Sequence, residues 1–113
     1  MRDLALRKAF TERVKDGQVV ILDGLNLDKP ATAQLAKTLN ALGIDAKNPA
    51  KAQYKSAVLV TAEADGNIAL SARNIERVRS TTSDTLTTYD ILWPDVLVFT
   101  RDAYEKFEQR LDQ

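Results

Sequence analysis

Three runs of consecutive apolar residues constrain this chain more than any other feature: Val19-Val20-Ile21-Leu22, Ala57-Val58-Leu59-Val60 and Val96-Leu97-Val98-Phe99. Each has the length of a strand and falls far short of a membrane span. None alternates apolar with polar residues. A strand with one wetted face alternates, whereas an unbroken run belongs to a strand covered on both faces, as in a parallel sheet under helices.

Segments of helical period separate the runs. Leu4, Ala5, Ala9, Phe10 and Val14 share one helical face, with Asp3 as candidate cap and Asp16-Gly17 as the stop. Asp23-Gly24 turns the chain out of the first run into a loop over 25–29. Pro30 suits the first turn of a helix over 31–42, where Leu35, Leu39 and Leu42 form one stripe and Gly43 ends it. Residues 45–55, with Pro49, read as an irregular connection. Asp65-Gly66 reads as a turn into a short helix over 67–74, which Ile68, Leu70 and Ala72 pack on the sheet. Val78 marks a short third strand, and 81–88 reads as a Thr- and Ser-rich loop. Residues 89–93 form one helical turn stopped by Pro94, and 102–111 form a last helix facing inward through Ala103, Phe107 and Leu111. Strands alternating with helices predict an α/β fold: a mostly parallel four-stranded sheet with helices on both faces and right-handed crossovers. With 113 residues, one globular domain over 1–113 is expected, burying roughly two-thirds of its unfolded surface.

The composition removes several chemistries. There is no cysteine and no histidine, so disulfides, thiolates, ordinary zinc sites and the commonest general base are absent. A reducing, cytoplasmic setting fits, and the N-terminus lacks the apolar segment of a signal peptide. Asp23-Gly24-Leu25-Asn26-Leu27 carries one glycine, too few for a phosphate loop. Ser56, Ser71, Ser80 and Ser83 have no histidine to activate them, and Glu105 and Glu108 read as a solvated helix face. Neither a catalytic set, a metal site nor a cofactor is expected.

Ligands of open parallel sheets sit beyond the carboxyl ends of the strands, where Asp23, Thr61 and Thr100 are expected. Asp23 there would hold magnesium or a ribose. The competing reading is that such residues cap the helices and turns that follow strands. Trp93, beside Pro94, is either a stacking platform or a packed domain edge.

Sixteen basic and sixteen acidic residues cancel, so no global field attracts nucleic acid. Local clusters remain. Arg73, Arg77 and Arg79 carry one acid among them, Glu76. Lys47, Lys51 and Lys55 form a second set. Arg7, Lys8, Arg13 and Lys15 form a third, diluted by Glu12 and Asp16. Either these are solvated surface, or they contact RNA or phosphate. Arginine grips phosphate bidentately, which favours the first set.

The series of segments, taken in order, resembles the globular, C-terminal part of the large-subunit ribosomal protein L4 (uL4) family. Asn67, Leu70, Ser71, Ala72, Arg73, Asn74 and Ile75 match its N-x-x-L-A-A-R-N-L helix, and residues 4–10 resemble its L-A-L-R-S-A-L helix. Residues 19–25 resemble its strand and acidic turn, and Pro30 to Gly43 its P-K-T-K…L-L-K-x-L-G segment. Tyr89-Asp90-Ile91-Leu92 and residues 96–103 resemble Y-D-L-L…D-x-L-V-L-T-x-D-A, and Phe107 to Leu111 fits the terminal helix.

The resemblance covers nearly the whole chain. It implies a Rossmann-like fold and a non-enzymatic, structural role in the large ribosomal subunit in the cytoplasm. Its partners would be large-subunit rRNA and neighbouring ribosomal proteins. The RNA-binding residues would be Arg73, Asn74, Arg77, Arg79, Lys47, Lys51 and Lys55. The family is roughly twice this length, a normal single-domain size. Its N-terminal portion, with a first strand, and its long basic loop have no counterpart here, which fits the balanced charge. A missing strand would leave a sheet edge open to self-association. Two rival readings are a protein–protein scaffold and a small nucleotide-binding α/β module using the strand-end residues.

Overall fold

The structure, a computed structural model, describes residues 4–23, 32–44, 55–64, 66–73, 75 and 77–111. Along the chain run α1 (Leu4–Lys15), β1 (Val19–Leu22), α2 (Thr32–Ala41), β2 (Ala57–Thr61), α3 (Gly66–Arg73), β3 (Val78–Thr82), α4 (Thr88–Leu92), β4 (Val96–Thr100) and α5 (Arg101–Leu111). The strands form one parallel sheet in the order β1-β4-β2-β3. The two middle strands are the buried ones, and the edge strands are partly wet. The α/β architecture expected from the unbroken apolar runs is what the chain adopts.

Strand order and helix placement follow from one rule. Two successive crossovers, β1 to β2 and β2 to β3, step in the same direction across the sheet, and β3 to β4 steps back. If all crossovers share one hand, reversing direction moves the connecting helix to the opposite face. Accordingly α2 and α3 build one core and α4 the other. Leu35, Leu39, Ile68 and Ala72 pack on Ala57, Leu59, Val96 and Val98. On the second face α1, α4 and α5 supply Leu6, Phe10, Ile91, Ala103 and Phe107, packed on Val58, Val60, Leu97 and Phe99. Alternate residues of each middle strand feed alternate cores, which is why those strands have no polar position to spare. Phe10 meets Phe99 and Phe107 edge to face and so locks α1 to β4 and α5, with Phe10 and Phe107 centroids 4.9 Å apart at 76°.

The helix stops are equally local. Gly17 and Gly43 have φ of 71° and 82°, a left-handed conformation that glycine adopts without strain. After α2, Gly43 N–H donates to Asn40 and Ile44 N–H to Leu39. This double closure satisfies carbonyls that the helix leaves open, and it buries Ile44. At α4, the Thr87 hydroxyl accepts from Asp90 N–H while the Asp90 carboxylate accepts from Thr87 N–H, a reciprocal cap.

Four expectations need correction. β1 is not covered on both faces: it is an edge strand with Ile21 46% exposed. On α1 the buried residues are Leu6, Ala9 and Phe10, while Leu4 and Val14 of the expected face are exposed. Thr81 and Thr82 belong to β3, not to a loop, pairing with Val60 and Thr61; β-branched threonine suits an extended edge. Leu70 does not pack the helix on the sheet: it is 42% exposed, while Ile68 and Ala72 are buried. Residues two apart on a helix point to opposite sides, so Leu70 cannot share a face with both. Trp93 packs partly buried against the second core, as a domain-edge residue.

Candidate nucleic-acid interface

The amino ends of β2, β3 and β4 meet at one corner. Ala57 pairs with Val78, and its N–H donates to the Arg77 carbonyl at 3.0 Å. Lys55 and Arg77 therefore stand just before adjacent strands. Asp95, just before β4, accepts from Ser56 N–H at 2.9 Å and from the Ser56 hydroxyl at 3.2 Å. The Arg77 guanidinium lies 3.8 Å from the same carboxylate oxygen. Both members of that pair are partly in water, so the attraction is worth little to stability and mainly orients Arg77.

Arg73 closes α3, where its charge favours the negative end of the helix dipole. A tight return follows, with Ile75 N–H donating to Ala72 and Val78 N–H to Ile75. It folds the end of α3 back beside the start of β3. Arg73 and Arg79 thereby come to line one groove of about 350 Å³, with Ala69, Ile75, Val78 and Ser80. Both arginines are exposed, and neither has a hydrogen-bond or ion-pair partner among the described residues. Unpaired cations around an open groove suit an anionic occupant.

The basic residues singled out in the sequence thus divide. Arg73 and Arg79 share the groove; Arg77 and Lys55 sit at the strand starts beside it. Asn74, Lys47 and Lys51 lie outside the described residues, as does Glu76. Arg13, in the third cluster, is occupied: its guanidinium donates to the Ile91 carbonyl at 3.0 Å, to the Leu92 carbonyl and to the Gln18 side chain. That arginine ties α1 to the end of α4.

At the carboxyl end of the sheet, each of the three strand-end residues has a partner within the chain. Asp23 is 90% exposed and meets the Arg101 guanidinium at 2.6 Å. The Thr100 hydroxyl accepts from Ala103 N–H at 3.3 Å and so caps α5. The Thr61 hydroxyl donates to the Glu63 carbonyl at 2.7 Å. Among the described residues no three acidic side chains gather as metal ligands. The expected capping and turn roles thus hold for Thr100 and Thr61, whereas Asp23 makes a solvent-exposed ion pair.

One feature at this end escaped sequence reasoning. A crevice of about 400 Å³ opens between the ends of β2 and β3, lined by Thr61, Gly66, Ser80, Thr81, Thr82 and Thr85. It shares Ala69 and Ser80 with the arginine groove, so the two form one track along α3 and the outer edge of β3. The signal was present as four hydroxyl residues in Ser80-Thr81-Thr82-Ser83, which a loop assignment concealed.

Fold and site together define a Rossmann-like α/β protein with a basic rim at the strand starts. No helix of the described residues is long and apolar enough to cross a membrane. The chain belongs to the ribosomal protein L4/L1 family, whose model matches residues 1–110. It is 40% identical over 111 residues to large ribosomal subunit protein uL4 of Moorella thermoacetica, covering 98% of this chain and 49% of that protein. The uL4 of Pelotomaculum thermopropionicum is 40% identical over 109 residues, covering 96% and 48%. That of Symbiobacterium thermophilum is 40% identical over 110, covering 97% and 49%. The chain spans about half the length of these relatives.

Proposed function

We propose that this chain serves as a structural, non-catalytic constituent of the large ribosomal subunit in the cytoplasm, binding rRNA beside neighbouring ribosomal proteins. Family membership supports the setting. The observation that carries the RNA reading is the groove between Arg73 and Arg79, two exposed arginines with no described partner. Arg77 and Lys55 extend the positive rim, and Asn74, Lys47 and Lys51 are proposed as further contacts from their sequence positions. The absence of histidine and cysteine, and the turn and capping roles of Thr61 and Thr100, support a role without catalysis.

The test is a salt-series titration against a large-subunit rRNA fragment. Phosphate contacts make log K fall linearly with log salt, by roughly 0.7 to 0.9 per contact. An Arg73→Glu/Arg79→Glu variant is expected to bind more weakly and to flatten that slope by about two contacts. Unchanged affinity and slope would remove the site.

A second reading has its own observation. β1 is an aliphatic edge strand with no strand on its outer side among the described residues, and Ile21 is 46% exposed. Such an edge invites pairing. A concentration-dependent dimer in sedimentation, lost on Ile21→Lys, is the expected outcome of self-association; a monomer at all concentrations removes it.

A further inference from the structure

We infer that the track along α3 and β3 takes RNA as an unpaired strand, with phosphates at Arg73 and Arg79 and sugar 2′-hydroxyls at the threonine row. This rests on the RNA reading above and specifies which form of RNA the site accepts. The first observation is shape. The arginine groove and the threonine crevice are concave and continuous through Ala69 and Ser80. Double-stranded RNA presents a convex cylinder with its phosphates outside, recognised across a wide, shallow minor groove. A seam between one helix and one edge strand instead fits a single backbone.

The second observation is chemical polarity along the track. One end carries the two guanidinium groups, and the other carries hydroxyls, with no charged side chain among the described residues that line it. Phosphates need the first kind of group, and a sugar hydroxyl, both donor and acceptor, suits the second.

The third is a count of protons. The Thr85 hydroxyl oxygen lies 3.0 Å from that of Thr81 and 2.9 Å from that of Thr82, and it also accepts from Thr82 N–H at 3.3 Å. A hydroxyl oxygen has two lone pairs. The Thr85 hydroxyl also donates, to the Thr82 carbonyl at 3.4 Å or to one of the two hydroxyls, and in each arrangement one donor of Thr81 or Thr82, a hydroxyl or the Thr82 N–H, is left for an acceptor outside the trio. Thr81 and Thr82 are both partly exposed to the crevice. Among the described residues no aromatic side chain lines either part of the track. Binding should therefore depend on backbone and sugar and tolerate base changes, because base stacking on aromatic rings is unavailable.

The experiment uses the full chain and fluorescence anisotropy at low salt. The probes are a short unpaired RNA of mixed sequence, DNA of the same sequence, and the same RNA annealed to its complement. The unpaired RNA is expected to bind most tightly. Thr81→Val/Thr82→Val keeps shape and β-branching but removes both hydroxyls. It is expected to weaken RNA binding roughly three- to tenfold and leave DNA binding unchanged. Arg79→Gln is expected to weaken all three probes alike, and circular dichroism melts verify that each variant is folded. Duplex binding equal to the unpaired strand, with salt dependence intact, overturns this inference while leaving the RNA reading standing. Equal losses for RNA and DNA in the threonine variant overturn the sugar contact. Displacement by polyglutamate at the same charge concentration as RNA reduces the site to a simple anion sink and overturns it also. No binding of any probe overturns both this inference and the RNA reading for this chain.

Discussion

At the residue scale, polar side chains here divide into those that close an account inside the fold and those that do not. Arg13 and Arg110 belong to the first kind. Arg110 donates to the Ser83 and Leu86 carbonyls at 2.8 and 2.9 Å and lies over the Phe107 ring, holding the turn after β3. Arg13→Ala should cost about 1–3 kcal/mol in urea unfolding, because it strips donors from the carbonyls that end α4. Ser83 belongs to the second kind: its hydroxyl is fully buried with no partner among the described residues. A buried hydroxyl without a hydrogen bond is a desolvation cost. Ser83→Ala should therefore leave stability unchanged or raise it by about 1 kcal/mol; a clear loss would mean the hydroxyl has an uncounted partner. Neither role was legible in the sequence. Arg13 looks like one charge among four on a basic helix, and its engagement depends on α4, 78 residues away along the chain. Arg73 and Arg79 were legible as a cluster, but their separation from Arg77 depends on Asp95, which only the folded sheet brings near.

At the scale of elements, the two glycine stops make the sharpest prediction. Gly43 sits at positive φ, and a Cβ there would meet nothing within 4 Å. Gly43→Ala is thus a nearly pure test of backbone strain. It should lower stability by about 1–2 kcal/mol in chemical denaturation, with the fold retained. The stops, the unbroken strands and the last helix were readable because each rests on local chemistry: a glycine, a run, a period; α1 was readable as a helix, but its inner face runs through Leu6 rather than Leu4 and Val14. β3 was read too short because an edge strand buries little, so its apolar signal is a single residue, Val78. Leu70 was misassigned because composition outweighed period in a helix of eight residues. The order β1-β4-β2-β3 was not readable at all, since it is set by the direction of crossovers rather than by any segment. The threonine crevice was missed with β3, as it exists only where two strand ends lie side by side.

At the scale of the whole molecule, both cores share the same two middle strands, so neither should survive without the other. Phe107 is fully buried among Phe10 and Phe99. Phe107→Ala should cost about 3–5 kcal/mol, a large share of the roughly 5–15 kcal/mol of an ordinary domain. Far-ultraviolet circular dichroism and Trp93 fluorescence should report one coincident transition, shifted down in the variant; two separated transitions would show that the faces unfold independently. The sheet is also unlike itself at its two borders. One border, Val19-Val20-Ile21-Leu22, is aliphatic, while the other carries Arg79 and a row of threonines. Stacking copies border to border would press an aliphatic strand onto a charged, hydrated one at every joint. Pairing β1 with β1 about a two-fold axis avoids that mismatch and uses the aliphatic border of both copies in a single step. If copies associate through the β1 border, sedimentation is expected to show a species that stops at two; a ladder of larger species would show that the borders do not discriminate.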